Sequence, residues 1–449
     1  MSKTLEKKSK IDELFFWGLL SASFLLFVID IILRFPLNLN NYVAIISVII
    51  SIFLCRLYRF NLGFFLAMFL IAYTNYSIAV GVYLFPEVRP EFMYKQFSAE
   101  TFSKGILCIL LFETMMLIFS YRLIKEPHLI DKNYKMSTDS YDENMIIAIG
   151  AIILYAAVFF FSFRMGDNGE RGSSSAINEY RTIFLIIGSY YSGGKKTIKI
   201  AWTILVLITS LLVIMSGNRV DMFGSMFFLV YYWYSDFFDY KKVLIILPMV
   251  IILMAAVGFM RGGFALSSES INNTLNELSS EKLTYRGAIF GYVPSLAIVE
   301  LKDTIPFNEK LSLFFDHIKY TFKIGSAGSI NPDLSTYSRN YYVHYWGFIS
   351  PIYFYFWTGY FGAVLFAILI NIYKHISIKA ILRKSNNSFG EKFGFIISAY
   401  FLSNVARWYC YGPMGLIRGA FVCFIIFCFV YVFDLVTKKK PLVIKRMIL

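Results

Sequence analysis

Charged residues are scarce in this sequence, and hydrophobic residues stand where a soluble protein would carry them. Of its 449 residues, 16% are charged, 57% are hydrophobic and 19% are aromatic. A soluble globular protein carries roughly 25% charged residues. Apolar runs near the ~20 residues needed to cross a bilayer recur along the whole chain. Because segments in lipid must satisfy their own backbone hydrogen bonds, the composition predicts an all-α polytopic membrane protein.

Cysteine and histidine are also rare, and this argues against several kinds of chemistry. Four cysteines fall in apolar runs, which leaves only Cys410 near a predicted outer surface, so no disulfide framework is expected. The four histidines are scattered without metal-ligand spacing, and no glycine-rich phosphate loop occurs. We therefore expect no metal, no cofactor, no ATP hydrolysis and no nucleic-acid partner.

The apolar runs predict about twelve transmembrane helices in a single integral membrane domain, residues 1–449. Their approximate bounds are 14–33, 42–59, 62–85, 104–123, 144–163, 179–193, 199–215, 221–235, 243–260, 346–372, 393–409 and 415–436. The sixth is the weakest of these, because Gly193-Gly194-Lys195-Lys196 shortens it. Basic residues concentrate in alternate loops, so the positive-inside rule predicts that both termini are cytoplasmic. No small-residue cleavage site follows the first run, so a cleaved signal is not expected.

One predicted outer loop, residues 261–345, is far longer than the others. Loops longer than about 15 residues are usually functional or contain structure of their own. Beyond Asn308, a helical pattern places these apolar residues on one face: Leu311, Phe314, Phe315, Ile318 and Phe322. Lys310 lies off that face, and its ammonium is expected in water. The helix could lie on the outer leaflet, although a packed ectodomain element is an equally good interpretation, as it is for Ala288–Ile298.

Arginine, unlike lysine, concentrates at the predicted outer ends of the spans. The clearest case is the turn Ser216–Met222 between two apolar runs, where Gly217 and Asn218 supply turn chemistry. Arg219 and Asp221 then lie at the mouth of a helix hairpin. The arginines of this kind are Arg164, Arg181, Arg219, Arg261, Arg286, Arg407 and Arg418.

These arginines have two interpretations. The structural one is pairing with carboxylates of the same regions: Asp167, Glu170, Glu179, Asp221 or Glu300. The functional one is an anionic ligand at the outer leaflet, because a guanidinium offers a planar fork that matches phosphate oxygens. Burying a charge such as Arg418 in a span costs about 3 kcal/mol even on lenient scales, so some partner must offset it. We favour the ligand because seven arginines share one predicted face.

Several neighbouring residues have both a structural and a functional interpretation. Tyr342, Tyr345 and Trp408 could pack against sugar rings or belong to the aromatic belt of the membrane interface.

Glu113 falls in the middle of a span, where it is either functional or a protonated partner in a helix–helix hydrogen bond. His344 could transfer protons near neutral pH, although a single histidine is more often structural. Asp221 is the other candidate base.

Four stretches share their order, spacing and sidedness with a known family. They are Ser216-Gly217-Asn218-Arg219, Met260-Arg261-Gly262, Tyr342–Gly362, and Asn404-Val405-Ala406-Arg407 with the following Leu416-Ile417-Arg418. Together they resemble the Wzy-type O-antigen and capsule polymerases, which are related to O-antigen ligases and to the enterobacterial common antigen polymerase. The first 140 residues resemble nothing beyond generic spans.

The resemblance implies a GT-C-like, metal-independent membrane glycosyltransferase of the bacterial inner membrane, acting in O-antigen (lipopolysaccharide), capsule or related polysaccharide synthesis. Its donor and acceptor would be undecaprenyl-diphosphate-linked oligosaccharide repeat units, and a chain-length regulator and a flippase are candidate partners. The diphosphates would be bound by Arg219, Arg261, Arg286, Arg407 and Arg418. Arg219, Asp221 and His344 would be catalytic, and Tyr342, Tyr345 and Trp408 would contact sugar.

One departure from the related ligases bears on the chemistry. Where many of them carry a glutamate after the large loop, this chain has Pro351-Ile352-Tyr353, which leaves the identity of a general base open. A ligase that attaches finished glycan shares nearly all these features. A flippase or transporter of an anionic glycolipid is the third alternative, and it should place charges through both leaflets.

Overall fold

The computed structural model describes most of the chain. The described residues are 3–33, 39–84, 97–126, 143–164, 173–174, 178, 180–215, 220–246, 291–322, 334, 347–382 and 388–439. Almost all of them lie in helices, as the composition predicts.

Eight of the helices are long and apolar enough to cross a membrane, judged by length and composition over the described residues. They are Lys10–Asp30, Asn40–Leu57, Leu62–Leu84, Ala99–Phe119, Met145–Ser162, Lys196–Ile214, Tyr360–Ala380 and Gly415–Thr437. Two shorter apolar helices, Arg181–Tyr190 and Met222–Trp233, occupy the predicted sixth and eighth spans. The predicted ninth span, 243–260, lies mostly outside the described residues. The protein is therefore an all-α polytopic membrane protein.

The chain divides into two compact units. The first unit comprises Met1–Lys132, Ser267–Tyr373 and Val405–Gly415, and the second comprises Asn133–Leu266, Lys374–Asn404 and Leu416–Leu449. The expectation of a single integral membrane domain over residues 1–449 stays a prediction.

The first unit begins with helices α1 (Lys3–Leu33), α2 (Asn40–Leu57), α3 (Leu62–Ile78), α4 (Ala99–Phe119) and α5 (Tyr121–Lys125). Side chains just before α3 and α4 fix where these helices start: Asn61 accepts a hydrogen bond from the Phe64 amide, and Ser98 accepts one from Thr101. The helices α2, α3 and α4 pack together. Ser47 and Ser51 lie buried on α2, and small residues of this kind let membrane helices approach closely.

The rest of the first unit follows the long loop. It contains α10 (Tyr292–Thr304), α11 (Phe307–Phe322), α12 (Ser350–Thr358), the start of α13 (Tyr360–Leu382) and the short helix α15 (Val405–Cys410). Helix α11 confirms the helical pattern expected beyond Asn308. Helix α10 is buried along its length and packs against α4 and α12, so this loop segment belongs to the folded core of the unit.

The second unit contains α6 (Met145–Ser162), α7 (Arg181–Tyr190), α8 (Lys196–Met215), α9 (Val220–Phe228), α14 (Phe389–Ser403) and α16 (Met414–Lys439), whose first two residues belong to the first unit. A two-residue strand β1 (Phe163–Arg164) pairs antiparallel with β2 (Ser173–Ser174). Helices α6, α7 and α8 pack tightly at Gly188, where an added Cβ would lie 2.6 Å from Trp202 and 2.9 Å from Ala151. Glycine permits this close approach.

Two sequence expectations about helix bounds were wrong. The predicted tenth span, 346–372, is interrupted: α12 ends at Thr358, and Gly359 adopts a φ of 68° before α13 begins. Continuous hydropathy hid this break, which only a residue without a Cβ makes easily. The predicted eleventh span, 393–409, is likewise divided between α14 and α15.

Candidate functional site

Backbone hydrogen bonds fix α15, which carries Arg407, beside the segment that precedes α12. The Gly412 amide donates to the Phe348 carbonyl at 2.8 Å, and Phe348 and Tyr411 form an isolated parallel bridge. The Ser350 hydroxyl donates to the Trp408 carbonyl. Gly412 has a φ of 87°, a conformation that favours glycine. The helix with Arg407 is thus tied to the chain that emerges from the long loop.

Helix α10 completes this arrangement. The Ser295 hydroxyl accepts a hydrogen bond from the Ile349 amide at 2.8 Å and donates to the Gly291 carbonyl at 2.6 Å. An added Cβ on Gly291 would lie 3.0 Å from the Cys410 carbonyl, so the start of α10 also lies against the end of α15. Three short segments from distant parts of the sequence therefore meet around α15 within the first unit.

Arg407 and Trp408 are neighbours in sequence with different surroundings. Arg407 is half-buried in the last turn of α15, where a cation is favoured by the helix dipole. Trp408 is fully buried, and its ring centroid lies 6.1 Å from that of Phe366. The expected sugar contact of Trp408 is therefore wrong for this structure, because the indole has no exposed face to offer.

In the second unit, α9 begins at Val220, the residue that follows Arg219 in the sequence. An added Cβ on Gly224 would lie 2.9 Å from the Asn404 amide oxygen and 3.1 Å from the Thr182 hydroxyl. The Ser225 hydroxyl accepts a hydrogen bond from Tyr155 at 3.1 Å. Small residues thus hold the first turns of α9 against α7, α6 and the end of α14.

Arg181 is the most buried arginine that the structure describes in the second unit. Its side chain is 1% exposed, and Nη1 donates to the Asn178 side-chain oxygen at 2.9 Å. The guanidinium lies 4.9 Å from the Phe159 ring centroid and 5.6 Å from that of Tyr155. These cation–π contacts help to offset the cost of burial. The sequence placed Arg181 among the outer arginines but not among the binding residues.

The remaining predicted site residues are only partly described. Arg418 is half-buried on α16, next to Gly419, which lies against Tyr400. Asp221 lies in the first turn of α9, and only its backbone is described. The other predicted residues lie outside the described part of the chain: Arg219, Arg261, Arg286, Tyr342, His344 and Tyr345. The proposed convergence of the arginines therefore stays a prediction.

Two lysines that the sequence did not single out lie together where α10 meets α11. The Lys302 ammonium lies 4.5 Å from the Tyr355 ring centroid, and Lys310 donates to the Lys302 carbonyl. Desolvation and the charge of Lys302 lower the pKa of Lys310. The expectation that the Lys310 ammonium is simply in water was wrong. A spacing of eight residues across a helix corner carries no recognisable signal, so only the fold brings these two charges together.

Among the described residues, no group of three or more His, Cys, Asp or Glu side chains could hold a metal ion. No family model matches the chain, and no curated protein or solved structure matches it either. The function is therefore argued from the residues themselves.

Proposed function

We propose that this membrane protein is a Wzy-type polymerase of undecaprenyl-diphosphate-linked oligosaccharide repeat units, acting on the outer face of the bacterial inner membrane. The observation that carries the proposal is the setting of Arg407. Its short helix is hydrogen-bonded to the segment leaving the long loop, and its side chain is half-buried. The fixed backbone of this helix limits where the Arg407 guanidinium can lie, and a guanidinium is suited to bidentate binding of a phosphate.

The topology that goes with this function has twelve spans, both termini in the cytoplasm and a GT-C-like arrangement of one long outer loop. Its support is the set of eight long apolar helices together with the shorter apolar helices α7 and α9. The helix pair α14–α15 corresponds to the eleventh span of the proposed scheme, and the ninth, 243–260, lies mostly outside the described residues. Short helices that end inside a membrane protein leave backbone groups and side chains available to a ligand.

The proposed reaction transfers the growing glycan from one lipid diphosphate to a sugar hydroxyl of another lipid-linked repeat unit. The acceptor oxygen bonds to the anomeric carbon, the bond from that carbon to the diphosphate breaks, and the acceptor proton passes to a base, Asp221 or His344. Arg219, Arg261, Arg286, Arg407 and Arg418 bind the diphosphates and stabilise the negative charge that develops on the leaving group. Tyr342 and Tyr345 contact the sugar.

Helix α11 supports action at a membrane surface. Phe314, Phe315 and Leu311 are exposed along one side of the helix, whereas Leu313 on another side is buried. An exposed apolar stripe of this kind is typical of helices that lie on lipid. Lys302 and Lys310 at the start of the same region add positive charge, which suits an anionic lipid headgroup.

The two rival functions, ligase and flippase, require different arrangements of charged residues. A ligase shares the arginines and the long loop. A flippase needs charged groups along a path through both leaflets. The described second unit does contain a buried lysine, Lys392, but this lysine forms a closed ion pair with Asp434 at 3.1 Å. A paired, fully buried charge fits a structural role. The other buried acidic or basic residues of the eight long described helices, Glu113 and Lys374, are single residues of different units, which favours the transferase.

Deletion of the gene, followed by electrophoresis of the surface polysaccharide, tests the proposal. Loss of a polymerase leaves single repeat units attached to their acceptor, because transfer and export of one unit remain possible. Loss of a ligase leaves long chains that are not attached. Loss of a flippase removes the repeat unit from the outer face altogether. Either of the last two results would overturn the proposal.

A further inference from the structure

A buried carboxyl group of the first unit has one oxygen without a hydrogen-bond partner among the described residues. Glu113 on α4 is fully buried, and its Oε1 accepts a hydrogen bond from the Asn75 side chain of α3 at 2.8 Å. No described residue forms a hydrogen bond with its Oε2. A buried polar atom without a partner is rare, because its desolvation is not compensated.

The hydrogen bonds around Asn75 indicate which group donates and which accepts. Its amide nitrogen donates both to Glu113 and to the Ser51 hydroxyl, the latter at 2.8 Å. Its amide oxygen accepts from the Tyr409 hydroxyl at 2.7 Å. The Ser51 hydroxyl donates to the Ser47 carbonyl at 2.9 Å, as helix serines commonly do. Ser51 also lies beside the Glu113 carboxyl, but its hydroxyl proton is directed to Ser47, so Asn75 is the donor that the network supplies to Glu113.

An ionised carboxylate does not suit these surroundings. Cys55 on α2 and Tyr409 on α15 interact electrostatically with Glu113, and both are neutral in their ordinary state. Helices α1, α10 and α12 also pack on α4, but the titratable groups Asp30, Tyr292 and Tyr355 interact with Glu100 or Cys108 instead. A buried charge with a single hydrogen bond and no counter-charge is strongly disfavoured.

We propose that Glu113 is an intramembrane proton-binding site, with the proton held on Oε2. A metal cation fits less well, because hard cations take six or more oxygen ligands. Around this carboxyl the described residues offer the Ser51 hydroxyl, the Asn75 amide and the thiol of Cys55. The proton is the one cation that needs a single ligand atom.

Proton occupancy of Glu113 is linked to the position of α15. Asn75 bonds Glu113 on one side and Tyr409 on the other, and Tyr409 lies two residues after Arg407 on the same short helix. Loss of the proton leaves a carboxylate that the hydrogen bonds of Asn75 cannot stabilise. The bonds from Asn75 to Glu113 and Tyr409 then break, and α15 moves with Tyr409. The proton site does not depend on the proposed polymerase activity. Only an effect of the proton on a ligand bound to Arg407 would rest on that proposed function.

Infrared difference spectroscopy of the purified protein in lipid, wild type against Glu113→Gln, tests the proton directly. We expect a protonated-carboxyl C=O band at neutral pH in the wild type and its loss in Glu113→Gln. The variant should keep the thermal stability of the wild type, because a glutamine oxygen accepts the same Asn75 bond. Carboxylate bands in place of that signal, or a sodium-dependent stability in the wild type alone, would overturn the proposal.

Labelling of Cys410 tests the link to α15 without any glycan substrate. Cys410 bonds Thr74 of α3 at 3.5 Å, and a Cys428→Ser background removes the other partly exposed cysteine. Raising the pH increases the thiolate fraction of Cys410, and with it the labelling rate, in every variant. The labelling rate of Glu113→Gln therefore supplies the baseline. We expect the ratio of the wild-type rate to that baseline to rise by up to about tenfold per pH unit as Glu113 ionises. The same pH dependence in both proteins would refute the link.

Discussion

Lys392 and Asp434 form a fully buried ion pair that joins α14 to α16 in the second unit. Their side chains are 4% and 1% exposed, and the Lys392 nitrogen lies 3.1 Å from Asp434 Oδ2. Asn144, before the first turn of α6, donates to the other carboxylate oxygen at 2.9 Å. The Lys392 ammonium also lies 5.6 Å from the ring centroids of Tyr191 and Tyr431. Four segments distant in sequence thus depend on one pair of charges.

Removing one partner of this pair should be far more harmful than removing both. We expect Asp434→Asn to destabilise the protein by about 3–5 kcal/mol, because the Lys392 charge stays buried without its counter-charge. Replacing both, with Lys392→Met and Asp434→Leu, should recover most of that loss. Thermal unfolding in detergent measures the difference.

The matched control is Glu126→Gln, which makes the same carboxyl-to-amide change in the exposed Arg122–Glu126 pair. Such a pair contributes about 0.3–0.5 kcal/mol, so this variant should unfold close to the wild type. Equal stability of Asp434→Asn and Glu126→Gln would contradict the structural role of the buried pair.

At the scale of elements, helix α11 exposes large apolar side chains, and this exposure needs an explanation. Phe315 is 54% exposed and Phe314 is 41% exposed, and the Phe314 ring also packs against Trp357 at 5.5 Å. The helix is therefore attached to the first unit by some of its residues and presents others outward. Because these outward side chains are apolar, contact with lipid suits them better than contact with water.

We expect Phe315→Asp to weaken activity strongly, because a charge on the lipid-facing side of α11 costs a few kcal/mol. Ser312→Asp, which adds the same charge at an exposed polar position of the same helix, should have little effect. Activity of the two variants at matched protein levels decides between them. If both variants retain full activity, α11 is a solvated element rather than a membrane-contacting one.

The sequence predicted those elements whose cause is local, and it missed those that depend on distant contacts. The apolar face of α11 follows from spacing alone, so the residues revealed it. The break at Gly359 did not show, because hydropathy continues across it and glycine is common in membrane helices. The partnership of Lys392 with Asp434 and the burial of Trp408 arise only when separated segments pack. The predicted contributions of Arg219 and the other site residues outside the described part of the chain stay predictions.

At the scale of the whole molecule, sidedness is the first prediction to test. With both termini cytoplasmic, the turn after α15 lies outside and the start of α14 lies inside. Cys410 is half-buried beside Thr74, so the exposed neighbour Tyr411 is a better reporter. In a Cys410→Ser, Cys428→Ser background, we expect an impermeant thiol reagent to label Tyr411→Cys in intact cells with permeabilised outer membranes.

Ser388→Cys, at the exposed position before α14, should be labelled only after the inner membrane is opened. The reverse pattern would invert the proposed topology, and the arginines of the outer face would then lie in the cytoplasm. The polymerase proposal would fail with it, because its substrates are used at the outer leaflet.

The most direct test of the central claim is the reaction of the purified protein in lipid vesicles with lipid-diphosphate-linked repeat units. We expect a ladder of products that differ by one repeat unit. Arg219→Lys keeps the charge but loses the bidentate fork, so chain growth should fall at least about tenfold, or about 1.4 kcal/mol of transition-state stabilisation. Arg219→Ala should fall further. Arg122→Lys, at a residue paired with Glu126 away from the proposed site, should match the wild type. A wild-type protein that forms no ladder, or an Arg219→Lys variant with full activity, would contradict the account.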